Sequence, residues 1–147
     1  LGDETTCSNT NCPGAGDECS NAMVANTGAN AYETTSATPS SPEPDDSMCS
    51  GTYMNWENSQ DIWFAWTADS SGNVHFTTCD SSSYDTSMAL YAGSCSNQVA
   101  CNGDGNGDDG CQSYYSAVDF NVTQGETYFI RIGGWQGATG TGTLTIE

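Results

Sequence analysis

From residue 61 onward, apolar and polar positions alternate with a period of two. In DIWFAWTA (61–68), Ile62, Phe64 and Trp66 fall on one side and Trp63, Ala65 and Thr67 on the other. In NVHFTT (73–78), Val74 and Phe76 alternate with His75 and Thr77. TSMALYAG, with Met88 and Leu90, leads to a short run from Gln98 to Cys101. SAVDFNV repeats the alternation with Val118, Phe120 and Val122, TYFIRI with Tyr128, Ile130 and Ile132, and TGTLTI with Leu144 and Ile146. Successive strand side chains point to opposite faces, so each segment predicts a strand with one face on a core. DSSGN, GSCSN, TQGE and GGWQGATG separate the segments as turns.

About eight short antiparallel strands at this spacing predict an all-β sandwich, jelly-roll-like in layout. The first part of the chain reads differently. Residues 1–31 form a polar, cysteine-dotted N-terminal arm in which Glu18 to Ala25 is long enough for one short turn. SATPSSPEPDDSMCS (36–50) holds three prolines among acids and serines and reads as a surface loop. A length of 147 residues suits one modest core, so the expectation is a single sandwich domain over 1–147 with its main strands in 61–147.

Charge narrows the partners. Asp and Glu number 19 against one basic residue, Arg131, and the formal net charge is −18. Such a chain repels nucleic acid and anionic lipid surfaces. Its expected partner is a neutral polysaccharide, or an acidic one bridged by a divalent cation. The same acidity also suits a salty medium, where repulsion among carboxylates is screened.

Eight cysteines, Cys7, Cys12, Cys19, Cys49, Cys79, Cys95, Cys101 and Cys111, lack the spacing of a zinc site, and the lone His75 completes none. They predict four disulfides, stapled in an oxidising, extracellular setting. Pairing neighbours as 7–12, 19–49, 79–95 and 101–111 closes the shortest loops, among about a hundred arrangements. Without a long apolar stretch, the chain reads as the mature part of a secreted product and a monomeric module of a larger multidomain protein.

Several of these segments resemble the bacterial pre-peptidase C-terminal domain. They are GDEC (16–19), the run from DIWFAWTA to YDTSMALYAGSC (61–95), VACNGD (99–104) and GETYFIRIGGWQGATGTGTLTI (125–146). The resemblance covers roughly residues 16–147. It implies a calcium-friendly β-sandwich, without catalysis of its own, that binds polysaccharide or protein. The chain departs from the pattern in the extra cysteines before residue 16 and in the acidic loop expanded by GNGDDG.

That loop, CNGDGNGDDGC (101–111), offers candidate chemistry. Asp104, Asn106 and Asp108 place hard oxygens at every second residue, with glycines allowing a tight wrap, a spacing that suits calcium. Asp85, from the stretch that resembles the family, and Asn102 are the further donors expected. A solvated acidic loop with no ion is the competing reading.

Aromatic rings are the second candidate. Trp135 in GGWQG, Trp56 in MNWENSQ, and Tyr114 and Tyr115 lie in polar surroundings where a ring could stack on a sugar face. Trp63 falls on the face opposite Ile62, Phe64 and Trp66, so it points outward or lies beneath a loop. With Arg131 on a neighbouring strand it would form a cation–π pair, either structural or part of a sugar surface. His75 has no nucleophile elbow beside it, and nothing singles out a pair of acids for glycoside cleavage. The expectation is therefore a non-catalytic carbohydrate-binding module. An extracellular protein-binding or adhesion domain and a calcium-stabilised spacer are the alternatives.

Overall fold

The computed structural model describes residues 14–49, 54–81, 83–105, 110–111 and 114–147. Among them, in chain order, are β1 (Met23–Val24), β2 (Gly28–Glu33), β3 (Ile62–Thr67), β4 (Gly72–Thr77), β5 (Thr86–Ala92), β6 (Gln98–Asn102), β7 (Ala117–Val122), β8 (Thr127–Gly134) and β9 (Thr141–Ile146). They form a β-sandwich. One sheet has the order β1-β3-β8-β5-β6 and the other β2-β9-β4-β7.

The alternation sets the interior. Ile62, Phe64 and Trp66 meet Met88, Leu90, Tyr128, Ile130 and Ile132 from their own sheet. Tyr32, Phe76, Val118, Val122, Leu144 and Ile146 face them from the other. Trp66 packs edge-on against Phe76, with centroids 5.6 Å apart. Burying each large apolar side chain here contributes about 1.5–3 kcal/mol.

Two strands lie where the sequence predicts only an arm. β2 pairs along six residues with β9, and β1 pairs with β3 in parallel, so the sandwich is not wholly antiparallel. The inward positions of β2 are Asn30 and Tyr32 rather than an aliphatic series. Asn30 is accommodated because its Nδ2 donates to the carbonyls of Asn26, Gly28 and Leu144. The short turn expected between Glu18 and Ala25 is a single 3-10 turn at Cys19–Asn21.

The outer face of the five-stranded sheet carries a second core. Trp63, Arg131, Ala89 and Cys101 stand in register across β3, β8, β5 and β6. With Trp56, Met54 and Tyr91 they are buried beneath the proline-rich loop, which adds its own Cys49 to the cluster. Arg131 holds that loop down. Its Nη2 donates to Ser40 O (2.8 Å), its Nη1 to Pro42 O (2.7 Å) and to the Tyr91 hydroxyl (3.3 Å), and its Nε to Asp61 Oδ2 (2.6 Å). The guanidinium lies between two indoles, 4.9 Å from Trp56 and 5.0 Å from Trp63.

The disulfides follow this layering rather than the shortest loops. Cys19 bonds Cys95, Cys49 bonds Cys101, and Cys79 bonds Cys111. The pairings 19–49, 79–95 and 101–111 are thus corrected, and Cys7 and Cys12 lie outside the described residues. Cys101 points from the outer face of β6 toward the covering loop, so its partner is Cys49 in that loop. The three bridges span separations of 76, 52 and 32 residues. In the chain-entropy picture, loops of this size stabilise the folded state by on the order of 3–5 kcal/mol each.

Candidate functional site

β8 ends in two glycines because two close approaches leave no room for a side chain. A Cβ at Gly133 would sit 2.8 Å from Cη2 of Trp56, and one at Gly134 only 1.9 Å from the carbonyl oxygen of Ala138. The chain then makes one tight turn at Trp135–Gly137. Trp135 N donates to Asp85 O (2.9 Å), and Gln136 N donates to Asn55 O (2.9 Å). Trp135 is thereby tied both to the start of β5 and to the segment before β3.

Half-exposed, Trp135 borders a cleft of about 740 Å³ whose other walls are Met54 to Asn58 and the tip of the proline-rich loop. Glu43, Asp46 and Glu57 bring carboxylates to it, Asn55 and Asn58 bring amides, and Trp56 and Pro44 add apolar surface. This volume lies within the range of about 300–1,000 Å³ usual for ligand sites. The described non-glycine residues with positive φ are Glu57 (41°), Asn58 (56°) and Gln136 (50°). Two line the cleft and the third follows Trp135. Such conformations cost about 1–3 kcal/mol each and cluster at ligand sites.

The other aromatic candidates are placed differently. Trp56 is only 4% exposed, because it lies on Gly133 and over Arg131. Trp63 does face outward but is covered by the loop, with Nε1 donating to Ser40 Oγ (3.1 Å) and its ring 5.1 Å from Tyr91. Together with Arg131, which is 2% exposed, it forms a cation–π pair that braces the loop instead of an open sugar platform. A narrower cavity of about 420 Å³ under that loop reaches the edges of both. Tyr115 is fully buried, its hydroxyl donating to Gly105 O (3.0 Å), while Tyr114 is exposed. Sequence reasoning missed Glu43, Asp46, Asn55, Glu57 and Asn58. Their signal was the acidic run PEPDD and the polar NWENS, two segments that only the fold brings together.

Of the calcium candidates, Asp85 and Asp104 lie close enough to interact. Burial, and then the charge of Asp104, push the Asp85 carboxyl up to about 6, and burial also raises Asp104. Asn102 Oδ1 accepts a hydrogen bond from Ala117 N (3.0 Å), which fastens β6 to β7. Asn106 and Asp108 lie outside the described residues. On the outer face of the other sheet, His75 Nδ1 sits 3.0 Å from Asp119 Oδ1.

A family model described as galactose-binding domain-like, and designated T9SS-associated, matches residues 15–146. The chain belongs to that family. Membership makes it a carbohydrate-binding-like domain, and the T9SS association together with the disulfides points to an extracellular setting. No curated protein matches the sequence.

Among solved structures, the pre-peptidase C-terminal domain of a collagenase from Bacillus anthracis is 11% identical. The match covers 86% of this chain and 94% of that one, with a TM-score of 0.52. The resemblance read from the sequence therefore holds at the level of the fold. A GH26-CBM35 β-(1,4)-mannanase from Podospora anserina is 12% identical over 83% of this chain and 28% of that one, with a TM-score of 0.35. A Paenibacillus cycloisomaltooligosaccharide glucanotransferase, complexed with cycloisomaltoheptaose, is 18% identical over 85% and 20%, with a TM-score of 0.38.

Proposed function

We propose that this galactose-binding domain-like chain is a non-catalytic carbohydrate-binding module of a secreted multidomain protein, and that polysaccharide binds in the cleft beside Trp135. The observation that carries this reading is the combination found there. A large ring is left half-exposed on a rigid turn, next to amides and carboxylates that accept and donate hydrogen bonds to hydroxyls. Retardation of the protein in gels containing soluble glycans is the expected result. Absence of retardation, together with silent calorimetric titrations across neutral and acidic polysaccharides, would overturn the carbohydrate reading and favour a protein-binding one.

Calcium belongs to the same proposal. Asp85 and Asp104 would hold the ion, and their mutual repulsion fits a cation, because the chain has no lysine and its one arginine is committed to Asp61. Bound there, the ion supplies positive charge to the two carboxylates. Asp85 also holds Trp135 through its carbonyl, so ordering Asp85 steadies the ring.

The pH dependence has a definite sign. The folded-state value of Asp85 is raised from 3.8 to about 6, so the folded chain binds the proton more tightly than the unfolded chain does. Stability from this group is therefore present below about 4 and is lost as pH rises through about 6. Calcium competes with that proton. Thermal unfolding should show a calcium-induced rise in Tm that is large at neutral pH, shrinks below about 6, and disappears in Asp85→Asn. An equal calcium effect in Asp85→Asn would remove Asp85 from the ion's ligands.

A further inference from the structure

The cleft beside Trp135 has a charge pattern that narrows the sugar it suits. Three carboxylates, Glu43, Asp46 and Glu57, border it, all on exposed residues. Only Glu43 spends an oxygen on the described backbone, accepting from Asn58 N at 3.4 Å. The chain's single arginine is buried behind Trp56, and there is no lysine to answer them. Trp56 lines the same cleft, is nearly fully buried, and its indole Nε1 has no hydrogen-bond partner.

Building on the carbohydrate-binding reading, we infer that this cleft selects a cationic amino-sugar polymer whose protonated amines face Glu43, Asp46 and Glu57 while one ring stacks on Trp135. The ring face meets the indole as any hexose would. An ammonium beside the indole adds a cation–π attraction that a hydroxyl or an acetamide lacks. Each ammonium–carboxylate pair at a partly exposed site adds a modest, salt-sensitive gain. The net charge of −18 raises the encounter rate for a polycation by the same sign rule. Uronic and sulfated sugars are excluded from this cleft by like-charge repulsion.

The test is calorimetric titration of the intact chain at mildly acidic pH with four oligosaccharides of equal length: glucosamine, N-acetylglucosamine, cello- and galacturonate oligomers. The first three share their β-1,4 backbone and differ at C2, so the comparison isolates the amine. The glucosamine oligomer is expected to bind about tenfold tighter than the two neutral ones. That advantage should collapse near 1 M salt, where the Debye length falls to about 3 Å. The triple variant Glu43→Gln, Asp46→Asn, Glu57→Gln should lose the advantage, with any loss of hydroxyl contacts falling equally on the three β-1,4 oligomers. Equal binding of the three β-1,4 oligomers would overturn the amino-sugar inference and leave the carbohydrate reading standing. A preference that survives in the triple variant would also overturn it, since it would then arise from the overall charge and not from the cleft. Binding of none of the four would overturn both readings.

Discussion

Arg131→Met is expected to destabilise the fold by about 3–5 kcal/mol, the range for breaking a buried ion pair from one side. Asp61 is fully buried, and it accepts from Arg131 Nε (2.6 Å) and Ser40 Oγ (2.8 Å). Methionine fills much of the space but leaves that carboxylate without its counter-charge and the carbonyls of Ser40 and Pro42 without their donor. Arg131→Lys should rescue little, because one ammonium does not reproduce a planar fork aimed at separate acceptors while stacked between two indoles. Urea unfolding reads the loss as a lower midpoint at nearly constant slope.

The deficit carries a pH signature. Burial pushes the Asp61 carboxyl up and the guanidinium opposes it, so removing Arg131 raises it further. The folded Arg131→Met variant then takes up a proton more readily than its unfolded chain. Its stability deficit should therefore shrink toward pH ~4 and grow as pH rises. A loss below about 1 kcal/mol, or one independent of pH, would mean that the hub does not hold the loop. Adding Asp61→Asn to Arg131→Met should recover part of the loss, since the stranded charge is then gone.

Trp135→Ala is expected to weaken glycan binding by about tenfold to a hundredfold, the cost of removing an aromatic anchor from a ligand site. It should change unfolding stability by less than about 1 kcal/mol, because the ring is half-exposed and its turn is held by backbone bonds to Asp85 and to Ala138. Trp135→Tyr should keep part of the affinity. Trp63→Ala should do the reverse, lowering stability by about 3–5 kcal/mol as a core truncation. Its effect on binding would be indirect, through the loop that carries Glu43 and Asp46. If Trp135→Ala binds glycan as well as the parent chain does, the cleft is not the site.

Apart from the short β6, the strands from Ile62 to Ile146 were legible because they keep period two with aliphatic or aromatic residues on the inner face. β2 was not, since Gly28–Glu33 puts Asn30 and Tyr32 inward and alanines outward, and Asn30 is satisfied only by backbone carbonyls that the fold supplies. The outward register of Trp63 could be read from alternation, and its pairing with Arg131 followed only on the condition, met in the fold, that β3 and β8 are neighbours. A loop covering Trp63 was one of two alternatives, but which loop could not be read, because it is held by contacts such as Arg131 to Pro42, 89 residues apart. The burial of Trp56 was hidden for the same reason, as its polar neighbours in MNWENSQ say nothing of Gly133 beneath its ring.

The acidic loop shows the same limit. Its bounding cysteines suggest a local staple, yet Cys101 ties it to the proline-rich loop through Cys49 and Cys111 to the end of β4 through Cys79. Asp104 lies in it and interacts with Asp85 across the β4–β5 connection. Trp135 was the better-placed candidate because glycines on either side leave no strand neighbour to cover it. Its partners in the cleft, Glu43, Asp46 and Glu57, come from segments with no periodicity to relate them to β8.

The most direct measurement is a nitrogen-15 NMR titration of the protein with a β-1,4 oligosaccharide it binds, following the four indole resonances assigned by single tryptophan substitutions. The expected result is that the Trp135 and Trp56 indoles shift with saturation, while Trp63 under its loop and Trp66 in the core hold still. Saturable binding that leaves Trp135 unmoved and shifts other residues would contradict the placement of the sugar site in this cleft.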